Sequence, residues 1–461
     1  MTSIQEVFVV TSSGTGHLFP CIELCKHLCF RNYKPTLVHP SSTSAALDHH
    51  HHLIDTIEIT APIRGSPTPI QQLGLELEAH LSGRSNGPNA AHPICAIIDF
   101  QMGWTKHIFW KFKIPVISFF TFGACAAAME WGAWRSNANE NKLIPGQIHT
   151  IPGLPEVTHI TYQDLTRHHN QPTRTSTGGG PPKPVDQPPW VPLIEGSIAL
   201  MFNTCDDLEH PFINHLANQV GIPVWGVGPL LPDQYWASIK YNTLIHDLQI
   251  RNPKHLSNQS EDKVKQWLDS KNPGSVLYVA FGSELSPTKE EYIQLASTLE
   301  EIGYPFIWVI QNRVNSTENE GFFGLEDKIG ERELIIQGWA PQLLILSHPS
   351  IGGFLSHCGW NSTVEAIGLG VPILAWPIRG DQIYNAKLVV NYLKIGYLAL
   401  PSGSPEMVKR DLLNGIRKFM SEEEVRKRAR ILRTKFERGF PATSKGALDD
   451  AFKDFVNKNQ I

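Results

Sequence analysis

Short apolar runs alternate along this chain with longer stretches of helical periodicity. Five such runs fall in the first half, at residues 7–10, 36–39, 95–99, 116–120 and 199–203. Five more follow in the second half, at residues 276–281, 306–309, 334–337, 351–356 and 373–375. Strands that alternate with helices predict βα units and a parallel sheet. Two series, each about as long as a domain, predict two doubly wound α/β domains.

The boundary between the two domains is expected in residues 228–260, which lack clear periodicity and contain Pro229, Pro232 and Pro253. We therefore expect one domain at residues 1–235, a second at 236–440, and a last helix at 441–461 that packs back on the first.

Residues 171–192 contain three consecutive glycines and repeated prolines, which predicts a surface loop. The four consecutive histidines at 49–52 are expected in a solvated loop.

Composition narrows the class of partner. The chain has 461 residues, of which 41% are hydrophobic and 18% charged, as in a packed globular protein. A formal net charge of −4 gives no electrostatic reason to expect nucleic acid or an anionic membrane surface. A small molecule is the expected partner, and the protein is expected to act as a monomer.

The N-terminus and the cysteines indicate the cytoplasm. Residues 4–11 form a short β-branched run that lacks the basic start and cleavage site of a signal peptide. The longest apolar region, 114–129, is interrupted by Ser118, Thr121 and Gly123, so it predicts a buried strand and helix and no membrane insertion. The number of cysteines is odd, seven, and most lie in apolar segments, which favours free thiols in a reducing compartment.

A glycine-rich turn, residues 11–20, follows the first predicted strand and precedes a helix. A dinucleotide-binding fingerprint would require a third glycine where Phe19 stands, and an acidic residue after the second strand, where the chain has His39 and Pro40. What the turn does present is His17, at the carboxyl end of a strand where doubly wound sheets bind ligands. Asp99 ends another strand at the same edge, and an imidazole N–H is a suitable partner for its carboxylate.

A second candidate site lies in residues 351–365. The pattern predicts a strand at 351–356, a tight turn at Gly359, and a helix that begins near Asn361 and Ser362. Ser362 and Glu365 have the spacing of a capping box. Capping alone would explain these two residues, but a helix N-terminus with free N–H groups next to His357 and Asn361 is also typical of a diphosphate site.

The 44 residues from Trp339 to Gln382 resemble the signature box of the plant secondary-product glycosyltransferases of family 1. The segments WAPQ, HCGWNS, the following glutamate and the final DQ all fall in register. The resemblance extends to Gly16–His17, Asp99–Phe100 and Phe281–Ser283, and so covers nearly the whole chain. It implies the GT-B fold, in which two Rossmann-like domains face each other across a cleft. The first would bind the acceptor and the second the UDP-sugar.

The resemblance also implies residue roles. The residues that would contact the uridine are Trp339 by stacking, the backbone of Ala340, Gln342, and Glu365 at the ribose hydroxyls. Those that would hold the diphosphate are Ser283, His357, Asn361 and Ser362. Those that would contact the sugar are Trp360, Asp381 and Gln382 of the second domain and Thr121 of the first.

The implied reaction is an inverting transfer of a sugar, glucose by the identity of Gln382, with His17 as general base and Asp99 behind it. The chain has no Asp-x-Asp pair, so no metal cofactor is expected, and the UDP-sugar is a co-substrate. Two alternatives remain: a catalytically silent binder of nucleotide sugars, which would not need the His17–Asp99 pair, and a transferase that uses another UDP-sugar.

The acceptor is less well defined by the sequence. His17 and Asp99 are 82 residues apart, closer than is usual in the family, and residues 171–192 form an insertion in another acceptor-side region. Candidate acceptor-binding residues are Gly16, Phe122, Met129, Trp131 and Trp134. Their aromatic and apolar side chains favour a flat or lipophilic metabolite such as a flavonoid, another phenolic or a terpenoid. The new bond would be to oxygen or to an aromatic carbon.

Overall fold

The computed structural model describes residues 5–46, 54–59, 69–85, 93–136, 146–161, 164, 186–247, 257–282, 286–311, 330–399 and 405–458. The histidine run at 49–52, most of the predicted loop at 171–192, and Ser283 lie outside these ranges. Two compact units are present: one comprises Met1–Leu231 and Phe440–Ile461, the other Pro232–Gly439. Their boundary falls between Leu231 and Pro232, where the sequence suggested 235 and 236.

The first unit is built on a parallel sheet of seven strands in the order β3-β2-β1-β4-β5-β8-β9. The strands are β1 Gln5–Val10, β2 Tyr33–Pro40, β3 Asp55–Ile59, β4 Cys95–Asp99, β5 Val116–Phe120, β8 Ala199–Phe202 and β9 Val224–Gly226. A separate antiparallel pair joins β6 Ile148–His149 to β7 Ile160–Thr161. The chain order reverses between β1 and β4, which are hydrogen-bonded neighbours. Ligands of doubly wound sheets bind at the carboxyl ends of the strands on either side of such a reversal.

Helices cover both faces of this sheet, and two apolar clusters fill the space between them. The helices of this unit are Thr15–Cys29, Pro69–Ser85, Lys106–Lys111, Ala124–Arg135, Val191–Ile194, Asp206–Val220 and Ala442–Lys458. The last of these lies against the first: Leu448 and Phe452 belong to the same apolar cluster as Leu28. Arg31 Nε also donates to Asp449 Oδ1 at 2.7 Å.

The second unit has six parallel strands in the order β12-β11-β10-β13-β14-β15. They are β10 Val276–Ala280, β11 Phe306–Ile310, β12 Glu333–Gln337, β13 Ile351–Ser356, β14 Ile373–Ala375 and β15 Gly396–Leu398. Its helices are Asp233–Tyr241, Glu261–Asp269, Lys289–Glu301, Gln342–Ser347, Trp360–Leu369, Asp381–Lys387, Pro405–Ser421 and Glu423–Arg433. Here the chain order reverses between β10 and β13. The edge between these two strands corresponds to the edge between β1 and β4.

The expected linker at 228–260 is wrong in part, since residues Asp233–Tyr241 form a helix. Its buried side chains are Tyr235, Trp236, Ser238 and Ile239, which makes it an amphipathic helix of the second unit. Among the residues that the structure describes, no helix is long and apolar enough to cross a membrane.

Candidate active site

The first group of polar residues lies where β1 and β4 end. His17 is in the first turn of the helix Thr15–Cys29, which follows β1 after a turn at Gly14 with φ of 106°. Asp99 is the last residue of β4. Because β1 and β4 are neighbours, the fold brings the two side chains together, and His17 Nδ1 lies 2.7 Å from Asp99 Oδ2. The contact that the sequence predicted between these residues is therefore present.

Asp99 is fully buried, and its carboxylate is held from three sides. In addition to His17, the backbone N–H of Ser12 donates to Oδ2 at 3.2 Å and that of Gln101 donates to Oδ1 at 3.1 Å. Both oxygens thus have N–H partners, as a buried carboxylate requires. Ser12 Oγ in turn donates to the side-chain oxygen of Gln101 at 2.9 Å. Gln101 was not predicted from the sequence, although it lies two residues after Asp99.

The carboxylate fixes the chemistry of the imidazole. An ionised carboxylate only accepts hydrogen bonds, so Nδ1 of His17 carries the hydrogen and Nε2 is the basic nitrogen. The Thr121 hydroxyl is 3.2 Å from the same Nδ1, a longer contact than that to Asp99. The His17 side chain keeps 17% of its surface exposed, whereas Asp99 is shielded from solvent. A partly accessible base backed by a buried acid can accept a proton from a bound hydroxyl.

Aromatic rings gather near this pair. Phe100 is 6.4 Å from His17 between ring centroids, and Phe122 meets Phe100 edge to face at 5.4 Å. Trp131 packs edge to face on Trp134 at 5.3 Å. Gly16 is exposed at the second position of the helix Thr15–Cys29, and a side chain there would meet open space. Met129 was predicted to bind the acceptor, and this prediction is wrong because its side chain is fully buried and offers no surface to a ligand.

Trp190 belongs to the same aromatic group and was missed in the sequence. It stacks with Trp131 at 5.8 Å, and its Nε1 donates to a carboxylate oxygen of Glu130 at 2.7 Å. It also meets Phe120 edge to face at 5.4 Å. Trp190 falls inside the stretch predicted to be a surface loop, where a single large aromatic residue among prolines was the only available signal.

In the second unit, His357 directly follows β13 and lies between two glycines. A Cβ at Gly282, whose φ is +75°, would lie 2.6 Å from His357 Nε2, and a Cβ at Gly359 would also collide with it. These glycines therefore leave the space that the imidazole occupies. Burial lowers the pKa of His357 to about 4, against a smaller opposing effect of the Ala280 backbone. The ring is neutral at physiological pH.

The turn after His357 is held in an uncommon backbone conformation. Cys358 has φ of 61°, a value that non-glycine residues seldom adopt. The Ser356 hydroxyl accepts from the N–H of Cys358 at 3.1 Å, and Asn385 Nδ2 donates to its carbonyl at 2.9 Å. Asn385 also donates to Asp381 Oδ2 at 2.8 Å. These contacts connect the turn to the helix Asp381–Lys387, which carries two of the predicted sugar-contacting residues.

The helix Trp360–Leu369 begins earlier than the sequence suggested, and the predicted capping box is wrong. Its N-cap is Gly359, without a side-chain capping bond, and Ser362 is the third residue of the helix. Ser362 Oγ instead accepts from Gln342 Nε2 at 3.0 Å, and a Glu365 carboxylate oxygen accepts from the same nitrogen at 2.7 Å. Three residues assigned to the nucleotide thus form one hydrogen-bonded group.

The remaining predicted donor residues lie on the same elements. Trp339 and Ala340 are half-buried ahead of the helix Gln342–Ser347, and Asn361 is half-buried at the second position of its helix. Trp360 is 4% exposed, so contact with a sugar would come from its backbone. The side-chain oxygen of Gln382 accepts from the N–H groups of Ile378 at 2.9 Å and Arg379 at 3.1 Å.

Two further observations complete the geometry. Tyr235, from the helix that the sequence missed, donates through its hydroxyl to the carbonyl of Glu365 at 2.8 Å. A Cβ at Gly368 would collide with that hydroxyl, so the glycine allows the approach. Within the described ranges, no three His, Cys, Asp or Glu residues are grouped so that they could hold a metal ion.

Comparison with known proteins gives consistent matches. Residues 232–436 match the family model described as UDP-glucoronosyl and UDP-glucosyl transferase. The chain is 35% identical over 319 residues to UDP-glycosyltransferase 73C6 of Arabidopsis thaliana, covering 67% of this chain and 59% of that protein. It is 32% identical over 344 residues to flavonol 3-O-glucosyltransferase UGT89B1 of the same organism, covering 73% of this chain and 67% of that protein.

A solved structure shows the same fold. Medicago truncatula UGT71G1, crystallised with UDP-glucose, superposes with a TM-score of 0.73 at 23% identity, covering 98% of each chain. The prediction of two Rossmann-like units in the GT-B manner is confirmed by this likeness and by the two parallel sheets.

Proposed function

Because this chain belongs to the plant UDP-glycosyltransferases of family 1, we propose that it transfers glucose from UDP-glucose to a small lipophilic plant metabolite, with inversion at the sugar carbon. The observation that carries the proposal is the contact of 2.7 Å between His17 and the buried Asp99 at the strand ends of the first unit. A protein that only bound nucleotide sugars would have no use for this pair.

The reaction follows from the protonation state of His17. Its Nε2 removes the proton from an acceptor hydroxyl as that oxygen forms a bond to the anomeric carbon. The bond from that carbon to the diphosphate oxygen breaks in the same displacement, and UDP leaves with the bonding electrons. Asp99 then faces an imidazolium across 2.7 Å and stabilises its charge. Proton transfer to a positioned base contributes about 10²–10⁴-fold to a rate.

The donor is assigned to the second unit. We propose that Trp339 stacks on the uracil, that the Ala340 backbone and Gln342 contact the uridine, and that Glu365 accepts from the ribose hydroxyls. The hydrogen-bonded group of Gln342, Ser362 and Glu365 supports this assignment, since these polar atoms already converge on one place.

Leaving-group stabilisation is assigned to neutral donors. We propose that the diphosphate is held by Ser283, His357, Asn361, Ser362 and the first amides of the helix Trp360–Leu369. A helix N-terminus carries about half a positive charge. Because His357 is neutral, the partial positive charge of the helix and the hydrogen bonds are what mainly balance the negative charge of the phosphates. On this basis the reaction needs no metal cofactor.

Sugar selection is assigned to Asp381, Gln382 and the backbone of Trp360. The side-chain oxygen of Gln382 is already engaged by two backbone N–H groups, which directs its amide nitrogen elsewhere. We propose that this nitrogen donates to a hydroxyl of glucose. All seven cysteines are free thiols, six of them with a pKa that burial raises, and this supports a reducing, cytoplasmic location.

The acceptor is proposed to be flat and apolar. Phe100 lies beside His17 and Phe122 packs on Phe100, Trp131 and Trp134 add aromatic surface elsewhere in the same unit, and one relative is by its name a flavonol glucosyltransferase. Flavonoids, other phenolics and terpenoids are therefore the first acceptors to test.

The test is a screen of UDP-sugars against phenolic and terpenoid acceptors, with products identified by mass spectrometry. We expect glucosides from UDP-glucose. The matched control is His17→Ala, which should lose at least about 10²-fold in turnover while it still binds UDP in calorimetry. If the wild type forms no product, or if His17→Ala keeps more than about a tenth of its turnover, the proposal is wrong.

A further inference from the structure

The loop that places Thr121 beside His17 is clamped by a neighbouring segment of the first unit. This segment, residues 203–209, follows β8, which pairs with β5. The backbone N–H of Asn203 donates to the Phe120 carbonyl at 2.9 Å. Asn203 Nδ2 donates to the carbonyl of Thr121 itself at 3.2 Å. The Asn203 side-chain oxygen accepts from the N–H of Leu230 at 2.6 Å, so the amide is fixed in one orientation.

Glu209 holds the other end of the same loop. Its two carboxylate oxygens accept from the backbone N–H groups of Ala124 and Cys125, each at 2.8 Å. These are the first two residues of the helix Ala124–Arg135, whose N-cap Gly123 supplies no side-chain bond. The first amides of a helix lack partners within the helix. Glu209 supplies these partners from another helix.

The position of the Glu209 carboxylate is energetically unfavourable. Glu209 is fully buried, and burial raises its pKa to about 7 against the opposing effects of Thr204 and the two amides. Its own backbone is non-helical, with φ of −136° and ψ of 25°, inside the helix Asp206–Val220. A buried acid is costly unless something requires it there. The first residue of the helix that Glu209 holds comes three residues after Thr121.

We propose that Glu209 and Asn203 are positioning residues of the transfer reaction, which clamp the 121–125 loop so that Thr121 stays against His17. The inference rests on the proposed function of the His17 pair. Neither residue touches the reacting atoms, and both act through Thr121, whose hydroxyl lies 3.2 Å from His17 Nδ1. Loosening the clamp would let Thr121 move away and leave the imidazole ring less well oriented.

A double-mutant cycle tests this chain of contacts. Glu209→Gln keeps the size of the side chain but replaces one acceptor oxygen with a donor that faces an amide N–H. We expect kcat to fall about tenfold, because small displacements of catalytic groups cost large factors in rate. KM for UDP-glucose should stay within about twofold. Thr121→Val should lower kcat similarly, and the double variant should be no slower than the slower single one. Effects that multiply to about a hundredfold would overturn the inference.

A control and a second variant separate positioning from general stability. Glu6→Gln changes another buried carboxylate of the same unit, which accepts from Thr36 Oγ1 at 2.6 Å, and it should leave kcat within about twofold. If Glu209→Gln does not fold, Asn203→Asp keeps the acceptor for Leu230 while it replaces the donor to Thr121. It should show the same fall in kcat and the same lack of additivity with Thr121→Val.

A readout independent of turnover separates this inference from the proposed function. In protein labelled with ¹⁵N-histidine, the His17 ring signals are identified by their loss in His17→Gln. We expect Glu209→Gln to shift these signals and Glu6→Gln to leave them in place. If the wild type transfers no sugar, the proposed function fails, and the ring signals still decide the positioning role. Unchanged His17 signals in Glu209→Gln would overturn that role.

Discussion

Replacing Asp99 with asparagine removes the charge behind His17 while it keeps the shape of the side chain. Both oxygens of Asp99 accept from N–H groups, so the new amide must turn its nitrogen toward one of these donors. The less costly orientation keeps the oxygen at His17 and Ser12 and places the nitrogen against the N–H of Gln101, at the position now 3.1 Å away. The His17 tautomer survives in this orientation, but the imidazolium loses its counter-charge.

The size of the effect follows from the separation of the charges. Nδ1 and Oδ2 are 2.7 Å apart. With charge centres about 4 Å apart and an effective dielectric constant of about 20, the attraction is about 4 kcal/mol. Because 17% of the His17 side chain is exposed, water screens part of this attraction. A net loss of about 3 kcal/mol in the transition state corresponds to a fall of about 10²-fold in kcat.

The assay measures initial rates of glucoside formation at saturating UDP-glucose, together with UDP affinity by calorimetry and the thermal unfolding midpoint. We expect Asp99→Asn to lose about 10²-fold in kcat and to bind UDP as the wild type does. Glu6→Gln controls for the loss of a buried carboxylate elsewhere in the unit. If Asp99→Asn keeps more than about a tenth of the wild-type kcat while it is folded, the electrostatic role of Asp99 is wrong.

Four further outcomes are expected. In competition at equal concentrations, UDP-glucose should be used in preference to UDP-galactose, and a mainly galactosylated product would contradict the role of Gln382. EDTA should leave the rate unchanged, whereas a loss that added metal restores would show that the leaving group is stabilised in another way. Ser362→Asp should weaken UDP-sugar binding about tenfold or more by placing like charge near the phosphates. Its unfolding midpoint should hold, since an acid is tolerated in the first helical turn, and equal losses of binding and stability would contradict this. Because burial lowers the pKa of His357 to about 4, its contribution to stability is present above about 6.5 and is lost as the pH falls toward 4. The wild type should therefore lose on the order of 3 kcal/mol relative to His357→Asn over that range, and parallel pH profiles of the unfolding midpoint would refute the assignment.

The strands that the sequence predicted share a continuous apolar run, which a buried central strand of a parallel sheet needs. All ten predicted runs became strands, with β4, β5, β13 and β14 reproduced to the residue. The strands that escaped prediction carry less signal. Strands β9 and β15 have three residues each, lie at the sheet edges and are only partly buried, unlike the equally short but fully buried β14. Strand β3 is also an edge strand, and its sequence, DTIEI, alternates polar and apolar residues.

Two predictions made from the local sequence pattern are wrong, because in each case a tertiary contact determines the structure. Ser362 and Glu365 have capping-box spacing, but Gln342 from another helix donates to both side chains, and Gly359 is the N-cap. The helix Asp233–Tyr241 lies among prolines and was assigned to a linker, yet it is ordered by burial of Tyr235 and Trp236 in the second unit. In both cases the deciding partner is distant in sequence, and no spacing rule could include it.

The sequence could predict where the candidate histidines lie because topology, rather than side-chain detail, places them at the ends of particular strands. In each unit a histidine comes shortly after a strand next to the reversal of chain order: His17 after β1 and His357 after β13. Their surroundings then give them different chemistry. His17 has a carboxylate at 2.7 Å and is partly exposed, so it can become charged when it takes a proton. His357 is buried between two glycines, and no carboxylate contributes to its pKa, so it stays neutral. The same residue type at equivalent edges of two sheets is thus suited to proton transfer in one unit and to uncharged contact with a ligand in the other.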